Sequence, residues 1–205
     1  MISFACFSPH PPLLLPHVGS IDDRIKVKKT LQALESLEKQ FKEARIDEII
    51  ISSPHSDWGF NVPLYFLANN FKGKITPYLL ESESPKFYFE EGKKLYKSKI
   101  SNLKSKVALI ASGDTSHCLR KGGPYGFYTE GPKFDKNLVS YLKEKNIEKI
   151  LDLDNVYPNA AECGLRSFCF ILGVLQASGL DWQPEVLSYE GPFGVGYLVV
   201  NFKII

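Results

Sequence analysis

The chain has 205 residues, with 25 Lys plus Arg against 23 Asp plus Glu. That near balance excludes the concentrated basic surface of a nucleic-acid binder. Its four cysteines form no CxxC pair, which excludes a zinc ribbon or a thioredoxin motif. One domain spanning residues 1–205 is expected, because no Pro/Gly/Ser linker or composition break divides the sequence.

In chain order, residues 2–7 are mostly apolar, as in a strand covered on both faces. Ser8–Pro16 is proline-rich and reads as a rigid loop. From Ile21 to Ala44 the apolar positions Ile25, Leu31, Leu34, Leu37 and Phe41 recur at helical steps, with Asp22 and Asp23 suited to the N-terminus. That spacing predicts one amphipathic helix. Strands are predicted at 47–53, Val62–Ala68 and Lys74–Leu80, the last two joined by a turn over Asn69–Gly73. A helix over Lys86–Leu103 and a strand over Val107–Ala111 follow. Leu119–Pro132 is rich in Gly and Pro and reads as a long loop, a feature more often functional than idle. Helices at Lys133–Lys145 and Ala160–Ala177 and strands at Val186–Tyr189 and Val195–Phe202 complete the chain. Alternating strands and helices predict an α/β three-layer sandwich with a central mixed, largely parallel sheet.

No basic leader opens the chain, and its N-terminal apolar run is broken by prolines. The longest apolar stretch, Ser167–Ala177, is too short to cross a bilayer. A cytoplasmic protein with reduced thiols and no membrane partner is expected.

Three of the four histidines stand just after strand-like runs: His10 after ISFACFS, His55 after DEIIIS and His117 after KVALIAS. Open α/β sheets bind ligands outside the carboxyl ends of their strands. His10, in S-P-H-P-P, is stiffened by proline on both sides, as a metal ligand's loop should be. His55 repeats the strand–Ser–Pro–His pattern, and two copies are more specific than either alone. Asp57 is a candidate to hold an imidazole N–H. Glu162 has two readings: an ordinary ion pair with Arg166 four residues on, which periodicity favours, or a metal ligand opening a largely buried helix. Arg166 then supports the metal site or contacts an anion. His117, in S-G-D-T-S-H, is open between a third imidazole ligand and a general acid/base. His17 either lines the pocket or faces water. Tyr125, Phe127 and Tyr128 either stack on a planar ligand or form a small core under their loop. Two His and one carboxylate make an open-sided non-haem iron site, and zinc accepts the same donors. A Cys163–His117 nucleophile pair has nothing in its spacing to favour it.

SPHPPLLLPHVG, SSPHSD, SGDTSHCL and AAECGLRSFCFILGVL, in that order, resemble the class III extradiol dioxygenase superfamily, the LigB-like domains. The nearest likeness is to LigB-like proteins of the AmmeMemoRadiSam group, with Memo proteins as more distant cousins. The resemblance implies Fe(II) held by His10, His55 and Glu162, with His117 as acid/base. It implies a catechol-type aromatic substrate and O2 as reactants, and a homodimer. An acidic residue often stands in the family where His17 stands here. No AMMECR-type domain follows in this sequence, so an AMMECR-type or radical SAM partner is expected to act in trans. The alternatives are a zinc-dependent hydrolase and a metal-binding protein that is not a dioxygenase.

Overall fold

The computed structural model describes all of residues 1–205. Its centre is a six-stranded sheet in the order β3-β2-β4-β1-β6-β5. The strands β1 (Ile2–Ser8), β2 (Glu48–Ser53), β3 (Lys74–Leu79) and β4 (Val107–Ser112) run parallel. The hairpin β5 (Trp182–Glu190) and β6 (Tyr197–Ile204) closes the sheet antiparallel to β1. The three-layer α/β architecture expected from the sequence is present.

Alternation along the strands builds two cores. Ala5, Phe7, Ile50, Leu109 and Ala111 point to one face, where they meet α4 (Pro85–Ser98), α5 (Glu130–Lys143) and α8 (Leu165–Ser178). Phe4, Cys6, Ile49, Ile51 and Ile110 point to the other, under α2 (Lys28–Ala44) and α3 (Trp58–Leu67). A period of two on strands buried on both sides requires apolar residues at every position. All six residues of β4 are buried accordingly.

Beyond shifted element ends, the structure departs most from the sequence expectations as follows. The helix expected over Ile21–Ala44 breaks at the buried Val27 into α1 (Ile21–Lys26) and α2. The break falls where the buried stripe ends, since Ile21 and Ile25 are exposed. The strand expected over Val62–Ala68 is part of helix α3. A tight hairpin there would have made its strands antiparallel; β2 and β3 are parallel, and the intervening segment must carry the crossover. The helix expected from Ala160 begins only at Leu165, after a residue of positive φ, Ala161 at 54°. Finally, two short helices, α6 (Ile147–Leu151) and α7 (Leu153–Val156), fill a stretch given no element.

The strand order is what creates the site. The neighbours β2, β4 and β1 end side by side, with Ser8 opposite Ser112 and Ser52 opposite Ala111. Whatever follows Ser53, Ser112 and Ser8 is delivered to one edge of the sheet. Those continuations carry His55, Asp114 with His117, and His10.

Candidate metal centre

His10 is buried to 2% exposure. Its Nδ1 lies 2.9 Å from Ser112 Oγ, its Nε2 lies 3.5 Å from Cys163 Sγ, and its backbone N–H donates to Asp114 Oδ1 at 3.1 Å. His55 stands across from it, the two rings 5.3 Å apart and steeply inclined. Ser53 grips the backbone of His55 from both sides: its hydroxyl donates to the His55 carbonyl at 2.8 Å and accepts the His55 N–H at 3.1 Å. Gly59 makes room for this turn, since a Cβ there would lie 2.2 Å from Ser53 Oγ. Trp58 then lies against the outer side of His55, ring to ring at 5.4 Å.

A third donor-type side chain within reach is Cys163. Donor atoms of His10, His55 and Cys163 all lie within 4.8 Å of one another, as do those of Asp114, His117 and Cys163. The thiol is therefore common to both clusters. The Asp114 N–H donates to its sulfur at 3.3 Å. Two imidazoles and a thiol so close together, backed by a further carboxylate and imidazole, are chemically suited to a divalent transition metal.

Glu162 belongs to neither cluster. Its Oε2 accepts the N–H of Leu165 at 2.5 Å, and its Oε1 lies 3.5 Å from Arg166 Nη1. The physical reason is local. Helix α8 starts later than the sequence suggests and has glycine at its N-cap, which offers no side chain to its free N–H groups. The carboxylate fills that need and pairs with the i+4 arginine, while the adjacent Cys163 faces the histidines. Burial pushes the Glu162 carboxyl up to about 7, opposed by its bonds to Leu165 and Arg166. Arg166 also donates to the Glu83 carbonyl at 2.7 Å, and does not line the cleft above the histidines.

Burial dominates the electrostatics. It holds the His10 imidazole down to about 3 and His117 down to about 4, with the neighbouring imidazoles adding to the effect. Both rings are neutral near pH 7, the state needed to ligate or to accept a proton. The 4.0 Å approach of His10 Nε2 to Asp114 Oδ2 is consequently not an ion pair. Burial raises the Asp114 carboxyl to about 7 and the Cys163 thiol well above its ordinary value. Without a cation beside it, this sulfur keeps its proton.

Above the cluster opens a cleft of about 340 Å³, lined by His10, His55, Asp114 and His117 and by apolar groups from Pro11 to Leu13 and from the β5–β6 turn. Tyr125 stacks on His117 with ring centres 5.0 Å apart. The His117 loop is braced on two sides: Thr115 N–H to Gly196 O at 2.9 Å, and His117 N–H to Ala160 O at 3.2 Å. The remaining candidates stand apart. His17 is exposed in a turn and does not line the cleft. Asp57 is exposed, with φ at 50°, and serves through its carbonyl, which accepts the N–H groups of Phe60 and Asn61.

Sequence reasoning did not single out Cys163 as a candidate donor, nor Asp114, Ser112, Trp58 and Phe193 as its surroundings. A signal for Cys163 existed: it lies in a loop before a buried helix, followed by a glycine that permits close approach to another backbone.

Comparison with known proteins bears on the fold and the family. A protein of Clostridium acetobutylicum is 30% identical over an alignment covering 95% of this chain and 56% of the relative. The chain thus spans about half the length of that relative. The crystal structure of an uncharacterized protein from Escherichia coli K12 superposes with a TM-score of 0.63 at 15% identity, covering 97% of this chain and 99% of that one, a likeness of fold. Residues 53–200, which include His55, His117, Glu162 and Cys163 but begin after His10, match the family described as the catalytic LigB subunit of aromatic ring-opening dioxygenase. The chain belongs to this LigB family, within the extradiol-type dioxygenase superfamily.

Proposed function

We propose that His10, His55 and Cys163 hold a divalent metal, iron(II) in this reading, and that the cleft above them opens a catechol-type ring with O2. The observation that carries the reading is the convergence of His10, His55 and a neutral His117 on one cleft, with the Cys163 thiol within reach of them. The metal supplies Lewis acidity and redox exchange between an electron-rich diol and dioxygen.

The chain's own residues do the rest. His117, neutral at physiological pH, accepts a proton from a substrate hydroxyl and returns it as the ring opens. Tyr125, stacked on His117, limits the positions that imidazole adopts and offers an aromatic face at the mouth. Phe193 and Val195 wall the cleft with apolar surface that favours a planar ring and excludes water.

The test is metal analysis of protein purified without oxygen, followed by oxygen uptake with a panel of catechols. Uptake with ring-fission absorbance is expected. His117→Ala should keep the metal and lose about 10²–10⁴ in turnover. Absence of both signals with every catechol would sink the dioxygenase reading.

One observation favours a second reading. The Cys163 thiol lies within reach of both imidazoles, and a thiolate is a softer donor that also suits zinc. A zinc-dependent hydrolase, or a metal-binding protein without oxygenase activity, fits that donor set. Zinc in the purified protein with no oxygen uptake would select it. A homodimer, and an AMMECR-type or radical SAM partner acting in trans, are proposals of the family resemblance, tested by sedimentation and by co-purification.

A further inference from the structure

We propose that Ser112 is a positioning residue that locks His10 in the Nδ1–H tautomer, leaving the Nε2 lone pair directed at Cys163 and the cluster. The inference deepens the metal-centre reading and starts from a proline on a different element. Pro63 lies inside helix α3. It has no N–H to give the carbonyl four residues earlier, which is that of Gly59. The buried Ser112 hydroxyl, at the end of β4, donates to that carbonyl instead.

The consequence is a matter of counting protons. A serine hydroxyl has one hydrogen. Gly59 O is a carbonyl and only accepts, so Ser112 spends its hydrogen there. The contact of 2.9 Å between Ser112 Oγ and His10 Nδ1 must then be made with the hydrogen of the imidazole. With the hydrogen on Nδ1, Nε2 is the ring nitrogen left to offer a lone pair to a metal. Nε2 is the nitrogen that lies 3.5 Å from Cys163 Sγ. A metal bound among these donors finds that lone pair ready.

The opposite tautomer is disfavoured at Nδ1, where it would set that lone pair against a hydroxyl whose hydrogen is engaged. In metal sites the group that holds a ligand's second ring nitrogen fixes which nitrogen ligates, and its loss commonly costs 10–100-fold in affinity. Ser112 thus links a helix irregularity on one face of the sheet to ligand geometry at its edge. None of this touches substrate.

The experiment reads the tautomer directly, in metal-free protein carrying ¹⁵N-histidine, by long-range ¹H–¹⁵N correlation; loss of signals in His10→Asn identifies residue 10. A pyrrole-type Nδ1 and a pyridine-type Nε2 are expected, and the reverse pattern in the wild-type protein overturns the proposal. Ser112→Ala should remove the single-tautomer pattern and weaken zinc(II) binding, measured by competition with a chromophoric chelator, by about 10–100-fold. Ser112→Thr, which keeps the hydroxyl, should restore the pattern. An unchanged tautomer in Ser112→Ala also overturns the proposal. Should the alanine variant fail to fold, the wild-type spectrum alone decides. If wild-type protein shows the expected tautomer but binds no zinc(II) or iron(II), the metal-centre reading fails while the role of Ser112 stands.

Discussion

Gly113 and Gly164 meet backbone to backbone: a Cβ on Gly113 would stand 2.2 Å from the Cα of Gly164. One is the first residue beyond β4 and the other is the N-cap of α8. Their contact draws together the residues beside them, Asp114 and Cys163, whose N–H···S bond is 3.3 Å. The Gly164 N–H closes the same junction by donating to Asp114 O at 2.9 Å. Cys163 reaches the histidines because two side chains are missing.

Gly113→Ala should therefore act on the site through packing. The new methyl meets main chain, which has no rotamer to yield, so strand end and helix start must separate. Overpacking of this kind costs about 1–3 kcal/mol. Urea melts should show that loss, and chelator competition should show weaker zinc(II) binding, because Cys163 moves with the helix start. Undiminished affinity would mean that Cys163 does not depend on this junction.

Glu162 and Cys163 are adjacent yet should respond oppositely to substitution. Cys163→Ser removes a donor shared by both clusters. Metal content should fall below stoichiometric, and a sulfur-to-metal charge-transfer band present in the cobalt(II)-substituted wild type should vanish. Glu162→Gln leaves the cluster intact but weakens the cap on Leu165 and the contact with Arg166. Its metal content should be unchanged and its stability lower by about 1 kcal/mol, in the range of a lost helix cap. Metal loss in Glu162→Gln with retention in Cys163→Ser would make the carboxylate, not the thiol, the ligand.

That pair also marks how far the sequence is legible. The strand-end histidines were readable because a strand's carboxyl end is a place, and Ser-Pro-His occurs at two of them. The largely parallel sheet was readable from the alternation of strand-like and helix-like segments. What failed were decisions made by distant contacts. Val62–Ala68 has the composition of a strand, and only the parallel pairing of β2 with β3 makes it a crossover helix. Apolar periodicity carries α8 back to Ala160, but Gly164 contacts Gly113, some fifty positions earlier in the chain, and helical geometry begins after it. A shift of a few residues in a helix start exchanges which of two neighbours faces the site.

Tyr125 covers His117 while remaining 57% exposed, so its substitution should separate function from stability. Tyr125→Ala should change unfolding free energy by no more than about 0.5 kcal/mol, as surface substitutions do. Stacking of its outer face on a substrate ring would contribute about 0.5–1.5 kcal/mol. A rise in KM for an active diol of about 2–10-fold is expected from its loss. Tyr125→Phe should behave as wild type, since the contact is made by the ring. A KM unaffected in the alanine variant would assign this tyrosine to the loop alone.

Asp135 provides a pH dependence of known sign away from the metal donors. It is 1% exposed, accepts the Ser116 N–H at 2.8 Å and the Tyr189 hydroxyl at 2.5 Å, and so anchors the residue before His117. Burial raises its carboxyl from 3.8 to about 6, with those hydrogen bonds pulling the other way. Between these values the folded chain retains a proton that the unfolded chain has released. The contribution of Asp135 to stability is therefore greatest below that window and declines as pH rises through it. Asp135→Asn lacks this titration and carries a fixed penalty instead, because an amide presents one acceptor oxygen to two donors. Between pH 5 and pH 7.5 the stability of the wild type relative to Asp135→Asn should fall by about 1–2 kcal/mol. Urea melts of both proteins at the two pH values measure the difference. A difference that stays constant, or grows with pH, would show that the hydrogen bonds from Tyr189 and Ser116 outweigh desolvation and hold Asp135 ionised throughout.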